Sequence, residues 1–150
     1  MKKKTRLSAI GIAAVLGITL IAVACSTPEK RTWNEGINII PVPVQLTQQE
    51  GTFTLDKNTV IVCGSPDFAK TAAYLASKIK GSTGYELSVV NQPPNENYIL
   101  LMKEDSVAHK EGYGLVSSPK GVEIVASTDD GAFFGMQTLL QLLPAEIESP

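Results

Sequence analysis

The chain reads as an α+β domain, a two-layer sandwich in which a mixed or antiparallel sheet carries two helices on one face. Short runs of branched and aromatic residues alternate with polar ones, between residues 37 and 62 and again between 87 and 126, with the period of two expected of a strand. Two stretches, 66–80 and 130–143, carry the longer apolar repeats of helices. The strands come in runs and the helices stand apart, which is the order of α+β rather than alternating α/β.

The stretch Gly121 to Pro144, GVEIVASTDDGAFFGMQTLLQLLP, organises the rest. Val122 to Ala126 is a strand. Thr128, Asp129 and Asp130 then supply cap candidates and acids for a helix start. Phe133, Phe134, Met136, Leu139, Leu140, Leu142 and Leu143 follow, and Pro144 stops the run. Apolar residues lie on nearly every side, so this helix is expected to be mostly covered. Burying all seven side chains would contribute roughly 10–20 kcal/mol before chain entropy is subtracted.

In chain order, Ile37–Ile40 reads as a short edge strand ended by Pro41 and Pro43, because proline cannot donate to a ladder. The segment 44–48 resumes it, Gly51 turns, and Thr52–Leu55 alternates. Thr59–Val62 is a buried strand. Ser65-Pro66-Asp67 is a helix entry with an N-cap serine, a proline at the first position and an acid in the first turn. Phe68, Ala72, Leu75, Ala76 and Ile79 form one helical face, and Gly81 suits the cap. Leu87–Val90 is a strand and 91–97 a loop. Tyr98–Met102 is a nearly continuous apolar run that fits a central strand covered on both faces. Residues 103–111 are a charged loop or a single helical turn. Tyr113–Ser117 and Gly121–Ala126 make a hairpin about Ser118-Pro-Lys-Gly121.

The first residues are not fold material. Lys2, Lys3, Lys4 and Arg6 precede Leu7 to Ala24, 18 residues without a charge, and small residues lead into Cys25. This is an export signal. It resembles a bacterial lipobox, with Ala22 where leucine is commonest, which implies cleavage before Cys25 and lipidation of its sulfur. The alternatives are an uncleaved membrane helix, since 18 apolar residues just reach spanning length, and ordinary secretion. Residues 1–24 are thus a signal, 25–36 a polar tether, 37–145 the domain, and 146–150 the start of a linker. Removing the four cations of the signal takes the formal charge from −2 to −6. An acidic mature domain is a poor nucleic-acid partner. If Cys25 carries lipid, Cys63 has no cysteine partner and reads as a buried, inert thiol at a strand end.

Residue chemistry shows no active site. The single histidine, His109, sits in a charged loop, and one histidine with one cysteine assembles no zinc set. Nucleophile elbow, phosphate loop and dinucleotide fingerprint are all missing, and neither metal nor cofactor is expected. Asp129-Asp130 is an adjacent acid pair at a helix start. Paired carboxylates can hydrolyse glycosides, but at a helix N-terminus such acids usually cap.

Four stretches taken together point further. They are Ile40-Pro-Val-Pro43 with Gly51-Thr-Phe-Thr-Leu55, the helix Phe68 to Gly81, the strand entry Glu111-Gly-Tyr-Gly-Leu115, and Gly131-Ala-Phe-Phe-Gly-Met-Gln-Thr-Leu-Leu-Gln-Leu-Leu-Pro144. They resemble the N-terminal accessory domain of bacterial β-N-acetylhexosaminidases of glycoside hydrolase family 20. Related domains also precede other glycosidase barrels, including certain O-GlcNAcase-like enzymes and α-glucuronidases. The resemblance implies that catalysis belongs to a following (β/α)8 barrel, where an adjacent Asp-Glu pair works with the acetamido group of a glycan substrate. Asp129-Asp130 matches that pair in neither type nor place, so the resemblance assigns no catalytic residue here. The lipobox resemblance, for its part, implies an envelope protein tethered to a membrane through Cys25. A reading from another class is a non-enzymatic envelope module that binds glycan or protein, which would require an exposed aromatic platform or groove.

Overall fold

The structure, a computed structural model, describes residues 37–148. The expected signal, the tether and Cys25 lie outside the described residues. Five strands and two helices follow in the order β1 (Val60–Cys63), α1 (Ala69–Thr83), β2 (Val89–Val90), β3 (Tyr98–Lys103), β4 (Tyr113–Ser118), β5 (Gly121–Ala126) and α2 (Asp129–Leu142). The sheet order is β2-β1-β3-β5-β4. Neighbours among β2, β1, β3 and β5 are parallel, and β4 pairs antiparallel with β5. The α+β fold is as the sequence predicts, and the sheet is mixed and chiefly parallel. Parallel neighbours need a crossover between them, and α1, lying between β1 and β2, is one.

Register builds the core. Ile61, Ile99 and Val122 form one row across the sheet, and Cys63, Leu101, Ile124 and Leu115 form the next. Ile61, Ile99, Leu101, Val122 and Ile124 join Phe68, Ala72, Leu75 and Ile79 of the α1 region and Ala132, Met136 and Leu139 of α2 in one buried cluster. Both helices therefore lie on the same sheet face. Leu100, Met102 and Val125, on the opposite face, are only half-buried. The expectation that the central strand is covered on both faces holds for one face alone, because both helices pack on the same side.

The α1 region starts as predicted. Ser65 Oγ accepts the Asp67 amide hydrogen at 3.3 Å, and a 3-10 turn over Pro66–Phe68 leads into the helix. It ends later than predicted. Gly81 lies inside α1, and the left-handed cap is Gly84, with φ 75° and its N–H donating to the Lys80 carbonyl. Gly81 is followed by Ser82 and Thr83, which continue the helix, and only Gly84 adopts the positive φ that glycine tolerates without strain.

The segment before β1 forms no ladder. Ile37–Ile40, 44–48 and Thr52–Leu55 all lack strand pairing. Phe53 and Leu55 nevertheless pack against the core cluster. Their alternation reports one buried side, which is not the same as hydrogen-bonded pairing. Entry into β1 is fixed by a polar knot. Thr59 Oγ1 accepts from the Asp56 amide at 3.0 Å and donates to Asn97 Oδ1 at 2.6 Å. Asn97, at φ 62°, donates from Nδ2 to Asp56 Oδ1 at 3.0 Å.

The closing helix departs most from expectation. Thr128 caps it, accepting from the Gly131 amide at 3.3 Å. Of the seven large apolar residues, only Met136 and Leu139 are buried, Leu140 and Leu143 are half-buried, and Phe133, Phe134 and Leu142 are exposed. The face against the sheet is made instead by Gly131, Ala132, Gly135, Met136, Thr138 and Leu139.

Two outcomes test these placements by urea denaturation. Leu139→Ala should lose roughly 2–5 kcal/mol, and Leu140→Ala distinctly less; equal midpoints for the two would contradict the burial difference. At Gly81 an added Cβ meets nothing within 4 Å, so Gly81→Ala should gain about 0.5–1 kcal/mol; a loss of stability would restore it as the cap.

Candidate functional site

Several of the chemically versatile side chains are committed to structure. Asp129 Oδ1 accepts the hydroxyl hydrogen of buried Thr71 at 2.7 Å, which ties α2 to α1. Asp130 is exposed. The two acids thus share no pocket in which a substrate could sit between them. His109 is exposed in its loop, and its carbonyl accepts the Gly112 amide hydrogen at 2.9 Å. Cys63 is a half-buried thiol at the end of β1, donating to the Ser65 carbonyl at 3.0 Å, rather than the fully buried one expected. It is the last residue of its strand, where the α1 side packs over it from one direction only.

The ion pairs and shifted groups are fasteners as well. Lys103 Nζ meets Asp67 Oδ2 at 2.6 Å. That hydrogen bond holds the Asp67 carboxyl below the usual range and the Lys103 ammonium above it. Asp56 is lowered by the Asn97 amide and then by the Asn58 backbone N–H. Tyr98 is raised by its hydrogen bond to Glu123 at 3.0 Å. Lowered carboxyls on a surface are the opposite of what a general acid needs. A cavity at the C-terminal end of α1 is lined by Phe53, Leu55, Thr83, Tyr85, Leu143 and Lys80 among others, and Lys80, its one charged side chain, is paired with Glu86 at 2.5 Å. Among the described residues no group of three or more His, Cys, Asp or Glu could hold a metal ion.

What the fold does present is an aromatic ridge on the outer side of the helix pair. Tyr74 of α1 and Phe133 of α2 have ring centroids 5.8 Å apart, and Phe133 and Phe134 have centroids 6.1 Å apart. The three are 40%, 36% and 44% exposed. Lys78 Nζ sits 5.4 Å from the Tyr74 ring centroid. The rings are inclined at 45° and 74° to one another, so they form edges and not the flat face a pyranose would stack on. Sequence reasoning named these phenylalanines but put them in the core, because an apolar residue on a helix carries no mark of which side is covered.

Below the ridge, α2 holds the chain before β1. The Ile40 amide donates to Gln141 Oε1 at 2.8 Å, and Gln141 Nε2 donates back to the Ile40 carbonyl at 2.9 Å. Across the helix, Thr138 Oγ1 and the Tyr113 hydroxyl share a hydrogen bond of 2.6 Å.

The described residues thus form a helix pair tied to a mixed sheet. Residues 36–149 match the family described as glycosyl hydrolase family 20, domain 2, and the chain belongs to that family. It is 40% identical over 136 residues to a beta-hexosaminidase of Porphyromonas gingivalis, which covers 87% of this chain and 18% of that protein. Among solved structures it is similar to the GH20 beta-N-acetylhexosaminidase from Streptomyces coelicolor A3(2), with a TM-score of 0.67 and 32% identity over 73% of this chain and 22% of that one. The N-acetyl-beta-hexosaminidase of Streptomyces plicatus gives the same TM-score and coverage at 34% identity. The chain spans about a fifth of the length of these relatives. It is a non-catalytic accessory domain of the hexosaminidase type.

Proposed function

We propose that the chain is the accessory part of an exported β-N-acetylhexosaminidase that removes terminal N-acetylhexosamine residues from glycans. The observation that carries this reading is the family match over 36–149. Hydrolysis belongs to a following barrel with the substrate-assisted mechanism, which draws on the acetamido group of the substrate rather than on a second carboxylate. The domain's own work is mechanical: it packs against that barrel and stiffens it. The basic start, the apolar run and Ala24-Cys25 support a lipoprotein, tethered to the cell envelope through residues 26–36. A diacylglyceryl cysteine bearing a further acyl chain supplies the two or more chains that stable anchoring takes. Nucleic acid is no partner of so acidic a domain.

The pure 150-residue chain should not cleave 4-nitrophenyl N-acetyl-β-glucosaminide, whereas the polypeptide read on past Pro150 should. Turnover by the chain alone, or a reading frame that closes at Pro150, would overturn the assignment.

A further inference from the structure

We propose that the open face of the sheet carries a saccharide-binding site, with the Tyr98 ring as its stacking platform and the Glu123 carboxylate as acceptor for a sugar hydroxyl. The ligand class, a glycan bearing N-acetylhexosamine, rests on the hexosaminidase reading above. The site itself rests on geometry.

Tyr98, Leu100 and Met102 alternate along β3 on the face away from the helices, and Glu123 and Val125 share that face on β5. Side chains on a sheet ordinarily stand off it. The Tyr98 ring is laid down instead. Tyr98 faces Gly121 in the register, and a Cβ on Gly121 would lie 3.0 Å from both Cδ2 and Cε2 of the ring. The hydroxyl then reaches along β5 and donates to Glu123 Oε1 at 3.0 Å. The ring is held at both ends, so one face rests on β5 and the other turns outward, in agreement with its half-buried state. A ring fixed in this way loses little freedom when a ligand covers it.

The surroundings frame the platform. Strands β2, β1 and β3 are parallel neighbours in that order. Helix α1 links β1 to β2 on the core face. Residues 91–97 link β2 back to β3 in the opposite direction, so a crossover of the same hand lies on the open face. There it roofs β1, and Val62, which points to this side, is fully buried. The end of the link is tied down, because the Asn97 amide donates to the Lys120 carbonyl at 2.6 Å. The link thus forms a wall beside the ring, and the β4–β5 turn closes one end.

The mixture of groups selects the ligand. A pyranose has an apolar face of C–H groups and a rim of hydroxyls. An aromatic face with a few placed polar groups complements it. An ionised carboxylate accepts more than one donor, and among the described residues Glu123 Oε2 has no hydrogen-bond partner. A protein surface laid over the half-buried Glu123 would strip its water without supplying a cation, which is costly. Sugar hydroxyls supply the missing donors. Leu100 and Met102, half-buried beside the ring, give an acetamido methyl an apolar floor.

The test is a titration of N,N′-diacetylchitobiose into the isotope-labelled 150-residue chain, followed by amide resonances. Those of Tyr98, Gly121 and Glu123 should move saturably, with a dissociation constant of about 1–10 mM. Tyr98→Leu keeps an apolar strand residue but removes the platform, and should weaken binding about fivefold or more while the resonances of α1 and α2 stay in place. Tyr98→Phe keeps the ring and should bind within about threefold of the parent chain. Glu123→Leu, an independent arm that leaves the ring, should weaken binding about fivefold or more. No saturable movement at about 20 mM sugar would overturn the site, as would parent-like binding by either leucine variant. So would movement of the same resonances with protein concentration alone, since a second copy would then cover the face. Failure of the hexosaminidase reading is separately visible, as a reading frame with no catalytic domain, and leaves the measured binding standing.

Discussion

The close seating of α2 on the sheet is the constraint on which the rest of the structure depends. Gly131 and Gly135 are four residues apart and share the face turned to the sheet. A Cβ on Gly131 would collide with the Gly112 carbonyl oxygen, and one on Gly135 would lie 2.5 Å from Ile124 Cγ2 and 3.2 Å from the Tyr113 ring. The helix backbone thus approaches β5 and the start of β4 more closely than any larger residue allows. Met136 and Leu139 still reach the core on either side of this contact. Phe133 and Phe134 are carried outward with the opposite face. One local requirement, two small residues at one helical spacing, therefore decides both how the core closes and what the outer surface offers.

The motif that carries the family resemblance acquires a physical meaning residue by residue. Gly131 and Gly135 set the distance to the sheet. Thr138 bonds the Tyr113 hydroxyl at 2.6 Å and ties α2 to β4. Gln141 holds Ile40. None of these tasks is chemical in the catalytic sense, which agrees with an accessory domain whose polar groups are used for fastening. Asp129 with Thr71, Asp67 with Lys103, and Asp56 with Asn97 make the same point at three other places.

The legible parts of the fold were those where one residue pattern admits one environment. The α1 face of Phe68, Ala72, Leu75 and Ile79 has polar residues on its other side, and its burial follows the pattern. The hairpin about Pro119 and Lys120 is named by its turn residues and appears with Ser118 facing Gly121. Elsewhere the pattern was degenerate. In α2, apolar residues surround the helix, so periodicity could not choose the buried side, and the deciding residues were glycines, which hydrophobicity does not weigh. In 37–55, alternation without a pairing partner looked like strands. The exposure of Phe133, Phe134 and Leu142 was illegible for the same reason in reverse, because exposed apolar residues on a helix have the composition of a core. The Ile40–Gln141 clamp spans 101 positions of the chain, and no local pattern announces it.

The stability of Gly135→Ala measures this seating most directly. Helix propensity alone favours alanine over glycine by about 1 kcal/mol, so an uncrowded site would show a gain. A methyl forced against Ile124 and Tyr113 costs about 1–3 kcal/mol or more, and the seating described here predicts a net loss, seen as a lower urea midpoint with an unchanged slope. A midpoint at or above that of the parent chain would contradict it.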